Sequence, residues 1–153
     1  MLFAHSLFHF GYGSNHHKSK GTLLTPPVRL PCKKSDSWKI AFLQITESNK
    51  IMRDVLTKRL QALGKDQTRV QLYWLLPANT QDSKQSNTPQ PQWRRQEVPA
   101  HIWTQLIMQK SKHQQPCVQF ILDPENQAIL CYDHNNLPRD IDLDLRKLLK
   151  WSR

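Results

Sequence analysis

The chain has 153 residues, 38 % of them hydrophobic, with 22 Lys and Arg against 12 Asp and Glu for a formal net charge of +10. That supports one domain with tails. The positive surplus favours anionic partners such as nucleic acid, lipid headgroups or an acidic protein. No run of five like charges concentrates it, so an ordinary basic protein fits equally well. Only four glycines are present, and they form no phosphate-cradling loop and no nucleophile elbow.

Residues 1–37 read as an N-terminal arm. Met1–Gly13 is apolar and aromatic, but a membrane span needs about 20 such residues. No Lys or Arg precedes Lys18, which departs from the pattern of a signal peptide. The segment reads as the remnant of a membrane anchor or as a disordered or core-docked arm. It is followed by an irregular linker in which Pro26, Pro27 and Pro31 oppose a helix or a central strand.

The domain proper is expected over 38–153. Trp38–Ile45 is a short apolar run suited to a buried strand. Ser48 or Asn49 then caps a helix whose inward stripe is Ile51, Met52, Val55, Leu56, Leu60 and Leu63, with Gly64 as its C-terminal glycine. Val70–Leu76 is a second strand. A polar insert over about 78–96 carries too little apolar material to join a core. Pro99 opens a second helix, with Ile102, Trp103, Leu106 and Ile107 inward. Cys117–Leu122 and Ala128–Tyr132 are strands joined by a turn at Asp123–Asn126. Pro138–Trp151 is the last helix.

The order is β-α-β-α-β-β-α. Helices between the first three strands require crossovers, and the short turn requires a hairpin. The compact solution is an α/β fold, a four-stranded mixed sheet with helices on both faces, which is the thioredoxin-like core.

In that fold the working thiols sit between the first core strand and the next helix, where the helix N-terminus lowers their pKa. Here the junction is Thr46-Glu47-Ser48-Asn49-Lys50 and holds no cysteine, which excludes thiol chemistry at that place. Ser48 reads as a cap. The three cysteines, Cys32, Cys117 and Cys131, have no C-x-x-C spacing. Cys117 and Cys131 lie in apolar runs and read as buried, unreactive thiols, and Cys32 as an exposed one. Seven histidines, among them His5, His9, His16, His17, His101, His113 and His134, show no convergent ligand pattern. Asp140, Asp142 and Asp144 read as helix-start carboxylates complementing the macrodipole. The sequence thus offers no catalytic, cofactor-binding or metal-binding residue. Trp93-Arg94-Arg95, an aromatic beside two cations in the polar insert, is the one candidate interaction motif, to be weighed against a tryptophan folded back on the domain.

Several stretches resemble small bacterial membrane-anchored proteins associated with cytochrome c oxidase and related to the Sco-type assembly factors. They are Gly21–Pro27; Met52-Arg53-Asp54 with Leu63–Gln71; and Phe120–Asn126 with Asp140–Leu143 and Leu145–Arg153. The resemblance implies an anchor in the bacterial inner membrane and a thioredoxin-like domain on the periplasmic side. It also implies a role in cytochrome oxidase assembly, and with the redox thiols missing the leading reading is a non-enzymatic accessory protein acting through protein partners, oxidase subunits or other assembly factors. The Sco-type copper site of two cysteines and a histidine has no counterpart, and no functional residue carries over. Two alternatives stand beside this reading. One is copper handling by Cys32 with histidines of the arm, and the other is a basic nucleic-acid-binding module.

Overall fold

In chain order the elements are β1 (Thr22–Arg29), β2 (Trp38–Leu43), α1 (Asn49–Gln61), a 3-10 segment (Gly64–Arg69), β3 (Val70–Pro77), β4 (Trp93–Val98), α2 (Ala100–Ile107), β5 (Cys117–Leu122), β6 (Gln127–Asp133) and α3 (Pro138–Trp151). The structure is a computed structural model and describes residues 19–31, 35–43, 49–78 and 93–152. Six strands form one sheet in the order β1-β6-β5-β2-β3-β4. β2 pairs parallel with β3, and β3 with β4, while the β2–β5, β5–β6 and β1–β6 pairs are antiparallel.

β2 is central, and all of its six residues are buried. A strand covered on both faces needs apolar side chains in both directions, and WKIAFL supplies them except at Lys39. The Lys39 chain lies wholly inside, and its ammonium donates to the Ser37 carbonyl at 3.0 Å. The even positions Trp38, Ile40 and Phe42 meet Leu56 and Leu60 of α1 and Leu145 and Leu148 of α3. The odd positions Ala41 and Leu43 meet the other layer, built on Phe120, Leu75 and Leu106 of α2. The two crossovers therefore run over opposite faces, α1 on one and α2 on the other.

The four strands β6-β5-β2-β3 are the expected mixed sheet. The other two correct the sequence reading. β1 lies where an irregular linker is expected. It is an edge strand, and its register with β6 breaks between Leu23 and Val28, around Pro26 and Pro27. Prolines are tolerated at such edges and irregularities because the missing N–H faces no partner. β4 takes up the end of the expected polar insert. It carries only two buried residues, Trp93 and Val98, one at each end, so its sequence has no alternating apolar signal. The insert's residues 79–92 lie outside the described residues, as do 1–18 of the arm and Cys32. No described helix is long and apolar enough to cross a membrane.

The carboxylates of α3 have structural work. Asp140 accepts from the Leu137 N–H at 2.9 Å and closes the helix start. Asp142 pairs with Arg59 at 3.1 Å and Arg146 at 2.9 Å. Asp144 is fully buried and accepts from the Lys20 and Gly21 amides and the Tyr132 hydroxyl, at 2.9, 2.8 and 2.8 Å. It thereby fixes the chain entering β1. A Cβ on Gly21 would stand 2.6 Å from the Tyr132 ring, so this close passage requires glycine.

Candidate functional site

The carboxyl ends of β2, β3 and β4 lie side by side at the start of α1. In open α/β sheets this is where ligands bind, because crossovers leaving for opposite faces open a crevice there. It is also the place at which the sequence lacks a thiol. Residues 44–48, the junction itself, lie outside the described residues, and the site is built here from the groups around them.

Register brings Phe42, Trp74 and Arg95 into one row across β2, β3 and β4. Neighbouring strands lie about 4.8 Å apart, so side chains in such a row on one face touch. Arg53 comes down onto the row from α1, with its guanidinium carbon 4.4 Å from the centre of the Trp74 ring. Arg53 is only 7 % exposed, an unusual state for a cation. Its Nε and the Trp74 Nε1 are both buried without a hydrogen-bond partner. Burial pulls the Arg53 guanidinium below its ordinary pKa, and the neighbouring Asp54 charge partly offsets this. A guanidinium nevertheless stays protonated, so the site carries a fixed positive charge resting on an indole face. Such stacking contributes about 2 kcal/mol where solvent is excluded.

Sequence reasoning missed Arg53 and Trp74. The signal for Arg53 was its spacing, three residues before Leu56 and seven before Leu60, which places it on their stripe. The inward stripe of α1 is Arg53, Leu56, Thr57 and Leu60, whereas Val55, expected inside, is 42 % exposed. The turned stripe brings Thr57 inside. Its hydroxyl donates to the Arg53 carbonyl at 2.7 Å and accepts from the Trp93 indole N–H at 3.0 Å.

Trp93 is therefore no exposed anchor. It is 2 % exposed and meets Phe42 edge to face, with ring centres 5.1 Å apart. Arg94 points to the opposite face of β4, beside Tyr73, and is exposed, and Arg95 is half-buried next to Trp74. The expected interaction motif is thus divided by strand alternation, and only Arg95 joins the site. Beside the row, an open cleft of about 390 Å³ is lined by Thr57, Leu60, Gln61, Gln67, Val70 and Leu72.

Cys117 and Cys131 correct a second expectation. They lie diagonally across β5 and β6, where Cys117 is registered with Asp133 and Cys131 with Phe120, and with Cα atoms 5.7 Å apart they are joined as a disulfide. A spacing of 14 residues matches no redox motif, and only the hairpin register brings the pair together. Both are fully buried in the α2 layer, on the face opposite α1, and the Phe42–Gln119 register sets Cys117 beside the carboxyl end of β2. His101, His113 and His134 are exposed, and among the described residues no group of three His, Cys, Asp or Glu is placed to hold a metal.

The sheet order, the parallel β2–α1–β3 crossover and the terminal β5–β6–α3 unit define a thioredoxin-like α/β protein. The chain belongs to the family described as transmembrane-like, thioredoxin-like, C-terminal domain, which matches residues 49–152. Among solved structures it is similar to peroxiredoxin Q of Xanthomonas campestris, at 11 % identity and a TM-score of 0.45, covering 89 % of this chain and all of that one. A likeness that weak carries no argument about activity. No curated protein matches the sequence.

Proposed function

We propose that this is a non-catalytic thioredoxin-like accessory protein of respiratory cytochrome oxidase assembly, acting by binding protein partners. The observation that carries the non-catalytic part is the exchange at the thioredoxin site. The junction before α1 has no cysteine, and an arginine stacked on a tryptophan occupies its flank. Such a pair cannot exchange disulfides or reduce peroxide, because neither group is a nucleophile or an electron carrier. It can hold a partner. The oxidase assignment rests on the resemblance of the stretches from Gly21, Met52, Leu63 and Phe120 to the oxidase-associated proteins.

The domain works on the periplasmic side of the inner membrane. The Cys117–Cys131 pairing supports this, since disulfides persist in oxidising compartments. The family description as transmembrane-like agrees with an anchored protein.

The test is cross-linking of the full chain in its native membranes, followed by capture and mass spectrometry. Enrichment of oxidase subunits over other respiratory complexes is the expected result. Capture with no oxidase subunit enriched removes the assembly reading.

A further inference from the structure

We propose that the outer edge of β4, together with Arg95 and Arg53, docks an acidic extended segment of a partner protein. This rests on the binding reading above and names the chemistry of the partner. β4 is the last strand of the sheet, and among the described residues no strand lies beyond it. An edge strand offers alternate amides and carbonyls to an incoming extended chain. The side chains beside that edge ask for a negative charge. No ion pair among the described residues engages Arg53, Arg94 or Arg95. Arg53 is a cation more than nine-tenths buried, with its Nε and the Trp74 N–H both lacking an acceptor.

A buried charge that its neighbour Asp54 only partly offsets is costly, and a carboxylate arriving from outside supplies further negative charge beside it. The row Phe42–Trp74–Arg95 sets Arg95 one strand from the indole under Arg53, so both cations stand on one face of the sheet near its β4 edge. Glu97 follows Arg95 by two residues on the same face, and so closes the positive stretch on that side. A lipid surface would meet the cations but leave the strand edge unpaired, and the edge selects the peptide. The opposing interpretation is that charges on β4 only discourage edge-to-edge association.

The experiment is 15N NMR of the full chain titrated with a synthetic hexaglutamate peptide. Hexaglutamine and phosphatidylglycerol vesicles serve as the other probes. The expected result is movement of the Trp74 indole N–H and the β4 amide signals with hexaglutamate, and not with hexaglutamine. Arg95→Gln, half-buried and tolerant, weakens the binding about tenfold, the loss expected of one charged hydrogen bond. Arg53→Lys weakens it too, because lysine keeps the charge and loses the forked geometry. Arg29→Gln, on the exposed far edge of the sheet, leaves it unchanged.

The proposal is overturned if hexaglutamate moves no β4 signal, or if Arg95→Gln binds like wild type. Equal losses for Arg29→Gln and Arg95→Gln overturn it by showing diffuse charge. Vesicles moving these signals where the peptide does not would reassign the site to lipid. If the peptide fails while oxidase subunits are still captured, the docking site falls and the assembly reading stands. Peptide binding without capture gives the reverse.

Discussion

Asp123 closes the β5–β6 hairpin from inside. Its Oδ1 accepts the Glu125 and Gln127 amides, both at 2.9 Å, while Oδ2 is buried without a partner. Burial pushes the carboxyl above its ordinary value near 3.8, and the two amides only partly oppose this. The fold thus favours the protonated form. The stabilisation is complete below the unfolded-state pKa and is lost as pH rises through the higher folded value. Asparagine keeps an acceptor for the two amides and cannot ionise. Asp123→Asn should therefore gain stability relative to wild type as pH rises from about 3 to about 7, read from urea midpoints of both proteins. An unchanged difference between the two pH values contradicts this origin. Arg53 is a second buried charge, and its sign is opposite and permanent. That contrast is why Arg53, and not Asp123, reads as a place for a ligand.

At the scale of elements, legibility followed the strength of the apolar pattern. β5 was legible to the residue, and α3 followed from Ile141, Leu145, Leu148 and Leu149 at helical spacing with Pro138 at its start, whereas Leu137 before α3 and Ile107 of α2, both expected inside by the same pattern, are exposed. β4 was not legible, because WRRQEV has the composition of a loop and becomes a strand only by pairing with β3. β1 was hidden by prolines that an edge strand tolerates. The candidate site was half legible. The missing thiol was visible in the residues themselves, whereas Arg53 on Trp74 needed the rotation of α1 and the β3 register. The cross-strand disulfide likewise needed the hairpin. By the loop-entropy relation, a bridge closing a loop of this length constrains the unfolded chain by about 3 kcal/mol. Cys117→Ala with Cys131→Ala, or reduction of the wild type, should lower the urea unfolding free energy by about that amount. Equal stability of the oxidised and reduced protein would show that the pair contributes nothing.

For the whole molecule, the sheet holds two apolar layers and leaves one end, the carboxyl ends of β2–β4, for function. The thioredoxin-like frame is kept, and beside its working end a fixed cation rests on an indole. The accessory role proposed above uses that frame for shape and not for electrons. The most direct measurement is the spectroscopic cytochrome oxidase content of membranes from cells lacking this protein. Complementation uses wild type in one arm and Cys32→Ser in the other. The account predicts a fall in oxidase content, restored equally by both. Unchanged content without the protein would contradict the assembly role, and rescue by wild type but not by Cys32→Ser would show that a thiol does the work.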